Sequence, residues 1–277
     1  MIVFVNRTSN GVLDFLATRP LFTLAEFAEW CSSRRTTGDR TVEALLAYHV
    51  KGGHLVRVRK GLYAAVPRGS KAAGVPIDPF LVAGKLTPDA ILAYHTALEF
   101  HGRAYSPMRE FFYLTSLAAR PLEFRGHRFR AVHPPAALRS KRAELSNVLD
   151  ADRMGLSVRV TNLERTMVDV LDRPQLGGGW EEIWRSLEGV EFFDLDAVVK
   201  YALLLENATT IAKVGFFLEQ HKEHLMVEDR HLEHLRKNSP RVPHYLSRGD
   251  RRSGKLVSGW NLVVPPEVLE RRWQEVA

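Results

Sequence analysis

The chain has 277 residues, 45% hydrophobic and 26% charged, which is the composition of a globular protein of about two domains and excludes disordered and collagen-like classes. Its net charge of +7 bears on partners and solubility rather than on fold. The single cysteine, Cys31, excludes an internal disulfide framework and a cysteine-based zinc site, and no apolar run approaches the ~18 residues of a spanning helix, so a cytoplasmic location is expected.

The apolar start Met1 to Val5 is too short for a signal segment. Thr23 with Glu26 then makes a capping box, and Leu24, Phe27, Ala28 and Cys31 recur at helical spacing, giving a short supporting helix. Thr36 with Asp39 offers a second box, followed by Val42, Leu45, Leu46 and His49 until Gly52-Gly53 stops the helix. The opposite face of that second helix carries Thr37, Arg40, Ala44, Ala47 and Lys51; small Ala side chains permit close approach to a groove, and Arg40 can reach a guanine edge bidentately. Next, Val56 and Val58 alternate with Arg57 and Arg59, and Lys60-Gly61 turns the chain into Leu62 to Val66, a hairpin with a cationic tip.

Charge agrees with this outline, since residues 1 to 71 hold 11 Lys and Arg against 5 Asp and Glu, while the other 206 hold 28 against 27. A basic footprint concentrated on one small module is what phosphate neutralisation requires. The expectation is a winged helix-turn-helix over 1–71 that binds DNA. Its contacts would come from the inter-helix turn (Arg34, Arg35, Thr36, Thr37), the second helix (Arg40, Thr41, Ala44, Lys51) and the hairpin (Arg57, Arg59, Lys60).

Pro67 to Pro76 has a linker composition, with the linker proper at 72–76, and few contacts should cross it. The second domain, 77–277, reads as mixed α/β, making the whole chain α+β. Helices are expected near Asp78 to Lys85 and Pro88 to His101, strands near Glu110 to Thr115, Glu123 to His133 and Leu156 to Val160. Helices follow at Leu163 to Leu171, Trp180 to Leu187, Leu195 to Leu205 and Thr210 to His224, and strands at Tyr245 to Ser247 and Lys255 to Val264. Residues 120 to 142 carry seven basic residues against one Glu, whereas 143 to 229 carry 8 against 17 acidic ones. That acidic middle would pack beside the basic segments or meet a basic partner.

Three motifs suggest chemistry. Gly249 to Lys255 matches G-x-x-x-x-G-K, but Leu256 stands where a Ser or Thr should hold magnesium, and a strand follows instead of a helix. His221, His224, His231 and His234 form two i, i+3 pairs able to ligate a metal, although nothing fixes them on one point. Thr161 to Asp169 reads as a capping box from Thr161 to Glu164, an Arg165 to Asp169 pair and a buried stripe of Leu163, Met167, Val170 and Leu171.

Taken in order, Gly53 to Tyr63, Tyr94 to Gly102, Thr161 to Asp169, Asn207 to Leu218 and Gly259 to Pro265 resemble the AbiEi antitoxins of type IV toxin-antitoxin and abortive-infection systems. The resemblance implies a winged-helix N-terminal domain and a larger C-terminal antitoxin domain, with no enzymatic activity, cofactor or metal. The protein would repress its own operon through inverted repeats in promoter DNA and neutralise a nucleotidyltransferase-like toxin. Glu181, Glu182 and Glu188, on the acidic helices, are the expected toxin-facing residues. The competing readings are a metal-dependent nuclease or phosphohydrolase targeted by the winged helix, and a one-component transcriptional regulator that senses a small ligand.

Overall fold

The capping box at Thr23 forms as its sequence requires: Glu26 N donates to Thr23 Oγ1 at 3.2 Å and Thr23 N to Glu26 Oε2 at 2.6 Å. In the computed structural model, which describes residues 3–34, 39–247, 254–271 and 273, this box starts the second of three N-terminal helices. The order is α1 (Val3–Thr18), β1 (Leu21–Thr23), α2 (Leu24–Ser33), α3 (Asp39–Lys51), β2 (Leu55–Arg59) and β3 (Leu62–Ala65). The strands form an antiparallel sheet in the order β1-β3-β2. Its helix-facing side closes a core of Val12, Phe15 and Leu16 from α1, Phe27 and Cys31 from α2, Val42 and Leu46 from α3, and Phe22 and Leu55. Sequence reading did not anticipate α1, because Ser9, Asn10 and Gly11 interrupt its pattern; tertiary burial of Val12, Phe15 and Leu16 overrides that weak local preference.

The strict alternation expected along β2 is broken. A register shift between Arg57 and Arg59 inserts a bulge, so Leu55 and Val58 are the buried positions and Val56 is only half-buried.

The rest of the chain is mixed α/β. Its first part runs α4 (Pro79–Gly84), β4 (Ile91–Leu92), α5 (His95–Phe100), β5 (Glu110–Leu114), β6 (Leu122–Phe124), β7 (His127–Val132), α6 (Ala136–Ser140), β8 (Val148–Arg153) and β9 (Leu156–Thr161). Helices α7 (Leu163–Asp172), α8 (Trp180–Glu188), α9 (Leu195–Leu204), α10 (Ala208–Gln220) and α11 (Asp229–Arg236) follow, then β10 (His244–Tyr245), β11 (Lys255–Val257), β12 (Leu262–Val264) and α12 (Pro266–Leu269). Among the described residues no helix is long and apolar enough to cross a membrane.

The main sheet has six strands in the order β6-β7-β5-β4-β9-β8, with β4–β9 and β5–β7 parallel and the remaining pairs antiparallel. Ile91, Phe112 and Leu114 face a helical core that includes Met167, Leu171, Trp184 and Phe217. Leu92, Phe111, Tyr113, Phe129 and Val160 face the other way, toward Phe80 to Ala83 of α4. The C-terminal sheet, β10-β12-β11, brings Trp260, Leu262 and Val264 into the helical core. Gly215 in α10 makes that approach possible, since a Cβ there would lie 2.2 Å from the Trp260 ring.

Beyond α1, helices α6 and α11 and strand β8 have no expected counterpart, the strand over Lys255 to Val264 is interrupted by a turn at Ser258–Trp260, and two further elements are reshaped. The helix over Pro88 to His101 is split into β4 and α5, because Leu92 pairs with both Tyr113 and Val160 at the centre of the sheet and must be extended. The strand over Glu123 to His133 is a hairpin, turned at Arg125 (φ 50°) and Gly126 (φ 78°), the two positive φ angles of a type I′ turn.

Apolar side chains do meet across the expected linker. Leu21, Val58, Leu62 and Ala64 of the small sheet share one apolar cluster with Phe80, Leu81 and Leu86, so the N-terminal sheet is sandwiched between its own helices and the larger part.

Candidate nucleic-acid interface

Helix α3 presents the candidate surface. Val42, Leu46 and His49 turn inward, which leaves Ala44, Ala47, Tyr48 and Lys51 exposed at helical spacing on one stripe. His49 is buried, and burial together with the neighbouring His54 pushes it below the usual histidine range, so it sits neutral behind the exposed stripe. Arg35, Thr36 and Thr37, and the side chains of Arg40 and Thr41, lie outside the described residues. Arg34 is exposed at the end of α2, its guanidinium 4.9 Å from the Trp30 ring centroid, a stacked arrangement that fixes its direction while leaving polar edges open.

The structure presents the hairpin differently from the free cationic tip expected. Arg57 and Lys60 are exposed, but Arg59 donates to the carbonyl of Leu86 just beyond α4, and Gly61 O accepts from Leu24 N at 2.8 Å. Lys85, the residue capping α4, pairs with Glu26 of α2 at 2.5 Å. The tip is therefore docked between α2 and α4. Arg59 spends part of its donor set on the larger part of the chain, which leaves Arg57 and Lys60 as its open cations.

The three acidic residues expected to face a partner are not equivalent. Glu181 is 57% exposed and pairs with Arg185 at 3.1 Å. Glu182 turns inward at 10% exposure: it accepts from His95 Nε2 at 3.1 Å, Ser106 N at 3.0 Å, Ser106 Oγ at 2.6 Å and Ser186 Oγ at 3.1 Å. Burial raises its pKa, and the Ser106 and His95 bonds more than offset that, so it stays below the usual carboxylate range. Glu188 is bound to His221 Nε2 at 3.0 Å and to Arg271 at 3.4 Å. Only Glu181 has the exposure expected of a contact residue.

The histidine pairs are likewise separated by their partners. His221 is buried between Phe217 O (2.7 Å) and Glu188, and His231 between Glu228 N (3.3 Å) and Asp196 (3.1 Å), while His224 and His234 are exposed. Among the described residues no group of three or more His, Cys, Asp or Glu is placed to hold a metal ion. In the Thr161 to Asp169 motif the helix cap is Asn162, which accepts from Arg165 N at 2.9 Å, and not Thr161, which belongs to β9 and shares a hydrogen bond with Thr166. Arg165 and Asp169 meet at 3.2 Å, both essentially unexposed; Tyr201 Oη donates to Asp169 at 2.8 Å and Arg165 donates to the carbonyls of Glu144 and Ser146 at 2.7 Å. Of the Gly249 to Lys255 run, 249–253 lie outside the described residues, and Lys255 and Leu256 stand in β11.

A solved structure shares this fold. The crystal structure of the RV2827C protein from Mycobacterium tuberculosis is similar to this chain with a TM-score of 0.62 and 16% sequence identity, over 96% of this chain and 94% of that one. At that identity the likeness concerns the fold alone. No family model and no curated protein matches the chain.

Tyr48, 68% exposed, is the surface residue that sequence reading missed. Its signal was present, because positions 44, 47, 48 and 51 follow the same i, i+3, i+4, i+7 rule that picked out the buried stripe.

Proposed function

We propose that the chain is a DNA-binding antitoxin of the AbiEi kind, with no enzymatic activity, that represses its own operon and counters a nucleotidyltransferase-like toxin. The observation that carries the DNA half is the outer stripe of α3: two alanines that admit close approach, flanked by Tyr48 and Lys51. The element order α1, β1, α2, α3, β2, β3 and the sheet order β1-β3-β2 support a winged-helix reading of residues 3–65. The basic balance of residues 1 to 71 supports a phosphate-rich partner.

The toxin half rests on the resemblance, and its contact surface belongs to the larger part. Fluorescence anisotropy of the full chain on duplex from its own promoter, and on random duplex, tests the first half. Binding to neither at low salt removes the DNA reading. The second half requires a nucleotidyltransferase-like toxin encoded beside this chain; absence of such a gene, or growth arrest that co-expression does not relieve, removes the antitoxin reading.

A further inference from the structure

The segment between the hairpin and α4 reads as a flexible spacer in sequence, yet it is folded and pinned. Ser70 N donates to Pro67 O at 3.0 Å, and Gly69 lies at φ +84°, the position of a type II turn where glycine is required, which puts Arg68 at the outer corner. Lys71 O then accepts from Gly74 N (3.0 Å) and Val75 N (3.2 Å), and Val75 is buried. From across the sheet the guanidinium of Arg125, at the tip of the β6–β7 hairpin, donates to the carbonyls of both Ala72 and Val75. The backbone polar groups are thus used internally. Arg68 and Lys71 are left exposed, with no ion-pair partner among the described residues.

The segment also starts where α3 ends. His54 N donates to His49 O in the last turn of α3, and His54 O accepts from Val66 N, both at 2.9 Å. Between Glu43 and Asp78 the sequence contains no Asp or Glu, and Asp78 itself is held by Arg153 at 2.7 Å. Lys51, Arg68 and Lys71 thus have no acid within their own stretch of sequence and no ion-pair partner among the described residues. Two cations fixed in advance lose less side-chain and loop entropy on meeting phosphates than two on a free coil.

We propose that residues 67–76 form an ordered strap that sets Arg68 and Lys71 against the phosphate backbone of duplex DNA beside the segment met by α3, with Arg125 as the residue that positions the strap. The inference rests on the reading of α3 as a DNA-facing helix.

The test uses the full chain and measures the salt dependence of binding to its promoter duplex and to random duplex. Arg68→Gln with Lys71→Gln should weaken both complexes by a similar factor and reduce the magnitude of the log–log salt slope by about 1.8, at ~0.9 per phosphate contact. Arg125→Lys keeps the charge but replaces the rigid planar fork, whose two terminal nitrogens each take one carbonyl, by a single flexible ammonium. It should lower affinity in the native background and have no further effect once Arg68 and Lys71 are Gln. An unchanged slope in the double variant, or full binding by Arg125→Lys, overturns the strap. Ala44→Glu separates the two readings: if it abolishes binding while the strap variants do not, α3 stands and the strap falls, and if the native chain binds neither duplex, both fall.

Discussion

Glu181 and Glu182 are adjacent in sequence and opposite in role. Successive helical positions differ by about 100°, so one carboxylate stays in water while the next swings beside the buried stripe of Ile183, Trp184 and Leu187. Residue type alone showed two acids on a helix; it could not show that Ser106 and His95, far away in sequence, would converge on one of them. Glu182→Gln should therefore cost about 1–3 kcal/mol, because donors that meet a carboxylate would face an amide, whereas Glu181→Gln should stay within roughly 0.5 kcal/mol. Urea unfolding measures both, and equal effects would contradict the inward placement. The pH response has a definite sign. Glu26, where burial acts upward but Lys85 and Thr23 prevail, and Glu182 both hold their protons more weakly in the folded chain than at the ordinary value of 4.5. The stability they confer is full above that value and is lost as pH falls below it. A native melting temperature that drops between neutrality and pH 4.5 as steeply as below it would point to other groups. A charge-reversal test of the proposed toxin contact should accordingly use Glu181 and leave Glu182 in place.

At the scale of elements, long capped helices were legible and short strands were not. Helix α8 carries an apolar stripe, α7 and α10 are buried on most sides, and side chains of Asn162, Asp194 and Asn207 cap α7, α9 and α10, so apolar content and capping residues mark these helices even though the α7 cap is Asn162 and not Thr161. Strand β8, Val-Leu-Asp-Ala-Asp-Arg, lacks clean alternation and exists because β9 offers it a complete antiparallel partner, information absent from its own six residues. The candidate interface divides the same way. Ala44 and Lys51 were readable from helical spacing, whereas the docking of Arg59 on Leu86 depends on a contact 27 residues away. Two expectations follow for this face. Ala44→Glu should lower affinity for promoter duplex about tenfold or more, equivalent to at least ~1.4 kcal/mol, with no change in melting temperature, since the position is exposed and helical. Arg59→Ala should lower the melting temperature, because it removes a link between the hairpin and the larger part, and should affect DNA binding less than Arg57→Ala. A purely binding defect at Arg59 would mean the Leu86 contact contributes nothing to the fold.

At the scale of the molecule, the linker composition suggested two modules joined by a tether, and the structure joins them through a common core. Leu62 is 1% exposed and packs in the same cluster as Phe80, Leu81 and Tyr113, so the apolar residues on the outer face of the small sheet are covered by the larger part. Cutting before Ile77 would bare that face on one fragment and Phe80 to Ala83 on the other. Neither fragment should match the stability of its half in the whole protein, and the larger one should aggregate more readily. The sharper test leaves the chain intact. Leu62→Ala should cost about 2–5 kcal/mol, as buried leucine truncations do, and that loss should appear in both halves. With Trp30 of the N-terminal core replaced by Phe, the remaining tryptophans, Trp180, Trp184, Trp260 and Trp273, report on the helical core, and amide exchange of β1 to β3 reports on the N-terminal sheet. Coincident shifts of both probes in urea would establish one cooperative unit. If Leu62→Ala instead loosens the N-terminal sheet while the tryptophan transition stays at its native midpoint, the shared cluster does not couple the halves, and the two activities proposed for the chain can be assigned to separate fragments.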